Sequence, residues 1–167
     1  MKPYFADTDK QALIIAAAHA WVDAKTPFVE HQAIRGAGAD CVYLSHALQT
    51  KEAGFPHEFT PPHYTMEQTL HSEISPLVEY LEARPELFES HLEECVEDAQ
   101  RLLNKKTLMV GDLLVFQLGK GPHHSGVMLK WPYFVHTLRG LSCHISQIND
   151  TTFSKRFRGF YRAVVAE

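Results

Sequence analysis

The residues best suited to chemistry in this sequence are one cysteine and two histidines. Gly36-Ala37-Gly38-Ala39-Asp40-Cys41 reads as a flexible turn leading into a helix that Asp40 caps and Cys41 opens. A helix start presents backbone N–H groups without intrahelical partners, together with partial positive charge. Both favour thiolate, the nucleophilic form of cysteine, and the same N–H groups suit an oxyanion. Cys41 is therefore a candidate nucleophile. It is equally a small apolar residue that a helix start would bury.

The histidines come from a second segment, in which His124-Ser125-Gly126-Val127 and Tyr133-Phe134-Val135-His136 flank a turn containing Lys130 and Pro132. In a hairpin centred on Lys130, His124 lies opposite His136. Opposed residues share a face of the sheet, about 5 Å apart at Cβ, provided the loop has an odd number of residues. One imidazole would then take a proton from Cys41 while the other orients it. Two ordinary strand histidines remain the competing reading. His123 falls on the opposite strand face from His124 and is given no role.

These residues need elements to hold them. Thr8 and Asp9 offer caps for a helix of about four turns ending near Lys25, where Thr26-Pro27 stops it. Pro27–Ala39 reads as a loop and Asp40–Gln49 as the second helix, followed by a Pro-rich loop over Gly54–Pro62. Thr65-Met66-Glu67-Gln68 has capping-box form. Ser75-Pro76 starts a short helix that Pro85 ends. Glu86–Asn104 reads as one long amphipathic helix with Cys95 on its apolar stripe. Beyond Lys106, the runs Val110–Leu118, Gly126–Leu129, Tyr133–Leu138 and Phe157–Val165 read as strands. Helices first and strands second argue an α+β fold with an antiparallel sheet.

Composition bounds the function. The chain has 167 residues, 45% of them hydrophobic, which suits one compact domain over 1–167. Its 16 Lys+Arg against 20 Asp+Glu leave a formal charge of −4, against a nucleic-acid partner. No apolar stretch reaches the roughly 18 residues of a membrane span. No secretory peptide is visible, so the expectation is a protein cytoplasmic when made, reaching a phage particle or leaving by another route. The eleven histidines invite a metal reading. A zinc hydrolase holding its ion on Cys41, His124 and His136 is one alternative. A non-catalytic module is the other.

Trp21, Thr26-Pro27, His31-Gln32, Gly38-Ala39-Asp40-Cys41, Gly111-Asp112-Leu113-Leu114-Val115-Phe116, His124-Ser125-Gly126-Val127 and Phe134-Val135-His136 occur in that order. Together they resemble the NlpC/P60 cysteine peptidases, particularly the phage-type cell-wall peptidase branch. The resemblance implies a papain-like α+β fold, with N-terminal helices packed on a C-terminal antiparallel sheet. It implies Cys41 as nucleophile, His124 as general base and His136 as orienting residue, with no metal or cofactor. It implies cleavage of peptidoglycan stem peptides, with muropeptides as partners and phage tail proteins as further candidates. Asp40, Tyr43, Phe28 and His31 lie around the nucleophile as candidate substrate contacts. Two departures stand out: the family often has Tyr where this chain has Phe28, and usually has Gly where it has Tyr43.

Overall fold

A computed structural model describes residues 1–57 and 60–167, apart from the side chains of Met66 and Gln68. Helix α1 spans Thr8–Asp23, and its cap is Asp7, whose carboxylate accepts from the amides of Asp9 and Lys10. After α1 the chain wraps as a loop containing the two-residue strands β2 (Ala33–Ile34) and β3 (Gly38–Ala39). Helix α2 (Cys41–Ala47) follows directly and passes into a π-helical turn over Leu48–Glu52. Short helices α3 (Met66–Leu70) and α4 (Pro76–Glu82) come next, the latter capped by Ser75. The Gln68 arm of the expected capping box lies outside the described residues.

The expected long helix over Glu86–Asn104 is two elements. Phe88–Leu92 is a strand, β4, and only Val96–Asn104 is helical, α5. β4 pairs with the last strand, β9 (Phe157–Val165), and buries Phe88. Phe88 and Leu92 are four residues apart, which satisfies a strand as well as a helix, and the partner far along the chain decides. Cys95 is exposed at the cap of α5 and not on an apolar stripe.

The remaining strands are β5 (Leu113–Leu118), β6 (Gly121–Met128), β7 (Tyr133–His136) and β8 (His144–Gln147). A two-residue strand, β1 (Lys2–Pro3), completes a seven-stranded sheet ordered β1-β9-β5-β6-β7-β8, with β4 also on β9. All its pairings are antiparallel. A short helix, α6 (Thr151–Ser154), precedes β9.

The sheet separates two apolar cores. Successive strand residues point to opposite faces. Leu113, Val115, Val127 and Val135 face a core that includes Ile14 and Trp21 of α1 and Val42 and Leu44 of α2. Leu114, Phe116, Met128 and Phe134 face the other core, with Leu102 and Leu103 of α5 and, beside them, Phe153 of α6. This parity governs the site.

Candidate active site

Cys41 stands at the first position of α2. The Asp40 carboxylate holds it there from two sides, with Oδ1 accepting the amide of Tyr43 at 2.8 Å and Oδ2 that of His31 at 2.7 Å. One side chain thus caps the helix and pins the preceding loop. The loop closes with Val29 N–H donating to Ala39 O and Asp40 N–H to Gln32 O. Gly38 is confined there, because a Cβ would stand 2.5 Å from Val29. Helix α2 docks on β6 through small polar groups. Ser45 Oγ donates to Cys41 O at 2.8 Å and lies 3.3 Å from Ser125 Oγ.

Cys41 is 7% exposed. It lines a tight cleft with Phe28, Glu30, Asp40, Tyr64, Thr69, Leu118 and His123. Open space there is about 20 Å³, room for a single water. Burial pushes the thiol up to about 12, the Asp40 charge adding to the rise and Ser125 opposing it. Desolvation therefore opposes the helix start, which by itself favours the thiolate. Asp40 is itself raised, first by burial.

Of the candidate substrate contacts, Phe28 and Asp40 line the cleft. His31 and Tyr43 hold its cover. The His31 Nε2–H donates to Tyr64 O, and its ring stacks on His63 with centroids 3.6 Å apart. The Tyr43 hydroxyl donates to Pro61 O at 3.5 Å.

His124 and His136 meet each other. Val127 pairs with Val135 and Met128 with Phe134, so the hairpin centres on Trp131, one residue beyond the expected Lys130. The loop is still odd, and the two histidines share a face. His124 Nε2 lies 2.8 Å from His136 Nδ1, and His136 Nε2 lies 2.8 Å from Ser146 Oγ. His124 packs on Phe116, and His136 on Phe134 and Phe153, all associated with the second core, whereas Cys41 belongs to the first. Burial pushes His124 down to about 3 and His136 to about 2, with neighbouring His144 adding to both effects. The orienting contact expected between His136 and His124 is present.

His123, passed over in the sequence, shares the cleft with Cys41 and is 2% exposed. Its Nε2–H donates to Ser72 O at 2.7 Å. The available signal was strand parity: Ser125 contacts α2, and His123 is two residues away on the same face.

The model of the NlpC/P60 family matches residues 30–162. This chain belongs to the NlpC/P60 family. None of the curated proteins matches it by sequence. Among solved structures, it is similar to the NlpC/p60 domain of the peptidoglycan hydrolase SagA, at 17% identity and a TM-score of 0.54, covering 92% of this chain and 98% of that one. It is also similar to an NLP/P60-family protein, described as similar to lipoprotein, from Staphylococcus aureus subsp. aureus Mu50. There the identity is 15% and the TM-score 0.60, over all of this chain but 45% of the Staphylococcus chain. These likenesses show the NlpC/P60 fold, the α+β arrangement expected from the sequence.

Proposed function

We propose that this NlpC/P60 protein is a cysteine-type peptidase that hydrolyses amide bonds in peptidoglycan stem peptides, with Cys41 as its nucleophile. One observation carries the reading: Cys41, at the capped start of α2, shares a cleft with a histidine. Among the described residues Cys95 is exposed and Cys143 is buried elsewhere in the core. Family membership and the peptidoglycan-hydrolase relative support the substrate class.

In this reading the Cys41 sulfur attacks the substrate carbonyl as its proton leaves for a base in the cleft, because a thiol held near 12 supplies little thiolate at neutral pH. The Cys41 backbone N–H, without an intrahelical acceptor, faces the developing oxyanion. Collapse of the tetrahedral species releases the amine, and water then cleaves the thioester. With about 20 Å³ free, a peptide enters only when the cover carrying Tyr64 and Thr69 moves aside. The test is digestion of purified sacculi by wild type and Cys41→Ala, followed by mass spectrometry of released peptides. Wild-type release and none from the folded variant is expected. Equal release from both overturns the nucleophile.

The tight cleft also favours a second reading, a module that binds stem peptides without cutting them. Sacculus binding by wild type with no peptide released selects it.

A further inference from the structure

His136 is fully buried among other rings. Phe134 and Phe153 lie against it with ring centroids 4.6 and 5.1 Å away, and His144 with its centroid at 4.3 Å. His144 gives its Nδ1–H to the Ser142 carbonyl at 2.8 Å. Among the described residues, the partners of the His136 ring nitrogens are His124 at Nδ1 and Ser146 Oγ at Nε2, each at 2.8 Å. The register of β7 on β8 explains the second partner. His136 pairs with His144 and Phe134 with Ser146, so Ser146 is the diagonal neighbour of His136 on the same face.

Three groups in line can share their protons in two directions, because a neutral imidazole has one N–H and one lone pair. In the first, His124 Nε2–H donates to His136 Nδ1, and His136 Nε2–H donates to Ser146 Oγ. His124 Nδ1 then keeps its lone pair and can take a proton. In the second, Ser146 O–H donates to His136 Nε2, and His136 Nδ1–H donates to His124 Nε2. His124 then carries its proton on Nδ1 and offers no base there. A protonated His124 also fits only the first direction, since both its nitrogens donate. A working base therefore needs His136 protonated on Nε2 both before and after it takes a proton. A buried N–H without an acceptor carries its full desolvation cost, and Ser146 Oγ is the acceptor in place. The hydroxyl's own proton has somewhere to go, because Ser146 is half-buried and borders an open pocket with Gln147, Asn149 and Asp150.

We propose that Ser146 is a positioning residue for catalysis, the far end of a Ser146–His136–His124 relay that holds His124 in the tautomer a general base requires. The proposal rests on the peptidase reading, with His124 as the base for Cys41. Ser146 acts through His136, so its loss should lower kcat and leave KM unchanged.

The experiment compares turnover of a soluble muropeptide by the full chain as wild type, Ser146→Thr, Ser146→Val and Cys41→Ala. Thermal melting of each reports the fold. Threonine and valine share a shape and differ in the hydroxyl, and valine also keeps water from taking the hydroxyl's place. An unpaired buried donor should cut kcat of Ser146→Val by about 5–100-fold, while Ser146→Thr keeps most of the wild-type rate. The second readout is the tautomer itself. Nitrogen-15 spectra of histidine-labelled protein distinguish protonated from bare ring nitrogens, with His124→Gln and His136→Gln assigning the signals. In wild type and Ser146→Thr both rings should carry their proton on Nε2, and in Ser146→Val both should shift toward Nδ1. A serine that only packs would leave the tautomers alike in all three. If Ser146→Val does not fold, Ser146→Ala is read in the same way. His136 protonated on Nδ1 in wild type overturns the proposal. So do wild-type tautomers and rate in folded Ser146→Val, or equal losses in Ser146→Thr and Ser146→Val. These results leave Cys41 as the nucleophile. Undiminished turnover by Cys41→Ala instead overturns the underlying peptidase reading, and this proposal with it.

Discussion

Replacing His136 by glutamine should flatten the pH dependence of stability between pH 7 and pH 5. His136 is fully buried and His124 is 4% exposed. Burial holds their folded values at about 2 and about 3, against an ordinary 6.5. Below 6.5 the unfolded chain therefore binds protons that the folded chain refuses. Stability from this source is complete above 6.5 and is lost as pH falls toward those folded values. The slope approaches about 1.4 kcal/mol per pH unit for each group. Between pH 7 and pH 5 each histidine costs about 2 kcal/mol, and the pair about 4 kcal/mol, a large share of an ordinary domain stability of about 5–15 kcal/mol. Glutamine can keep a hydrogen bond to Ser146 Oγ while removing one titrating group, so the loss in His136→Gln should be smaller by about 2 kcal/mol. Urea unfolding followed by circular dichroism at the two pH values measures both proteins. His46, which burial pushes down to about 4, acts in the same direction in each and cancels in the difference. Equal pH dependence in the two proteins would refute the claim that His136 is buried and neutral.

Other substitutions test the frame around the site. Asp112→Ala removes the carboxylate that takes Arg162 Nε at 2.9 Å and Nη2 at 2.7 Å, so it should cost about 3–5 kcal/mol by urea unfolding. Gly126→Ala places a Cβ 2.7 Å from the Phe134 ring and should cost about 1–3 kcal/mol, read as a lower melting temperature. Iodoacetamide at neutral pH should label exposed Cys95 first. Cys41 and Cys143, both pushed by burial to about 12, should label slowly, as peptide mass spectrometry will show.

Local signals were legible and facial ones were not. Asp40 as cap and Cys41 as first helical residue follow from residue type alone. The sharing of a face by His124 and His136 needs only an odd loop, and survives a shift of the hairpin centre by one residue. What a single strand does not declare is which face receives which helix. In Pro122-His123-His124-Ser125 adjacent side chains point to opposite faces, and Ser125 meets Ser45 of α2 on one of them. The helix expected over Glu86–Asn104 failed for a related reason, because Phe88–Leu92 becomes a strand only by pairing with distant Gly159–Ala163. Strand β8 went unread: His144, Ile145 and Ser146 are all partly exposed, so no alternation marks it. The eleven histidines that invited a metal are scattered: His31 stacks on His63, His91 on Phe160, and His124 meets His136.

The central claim is that Cys41 forms a covalent bond to substrate. Wild-type protein mixed with a soluble muropeptide, quenched in acid and analysed by peptide mass spectrometry tests this directly. The account predicts an acyl adduct on the peptide carrying Cys41, transient in wild type and absent in Cys41→Ala. Turnover of the muropeptide with no adduct at any quench time, continuing undiminished in Cys41→Ala, would contradict it.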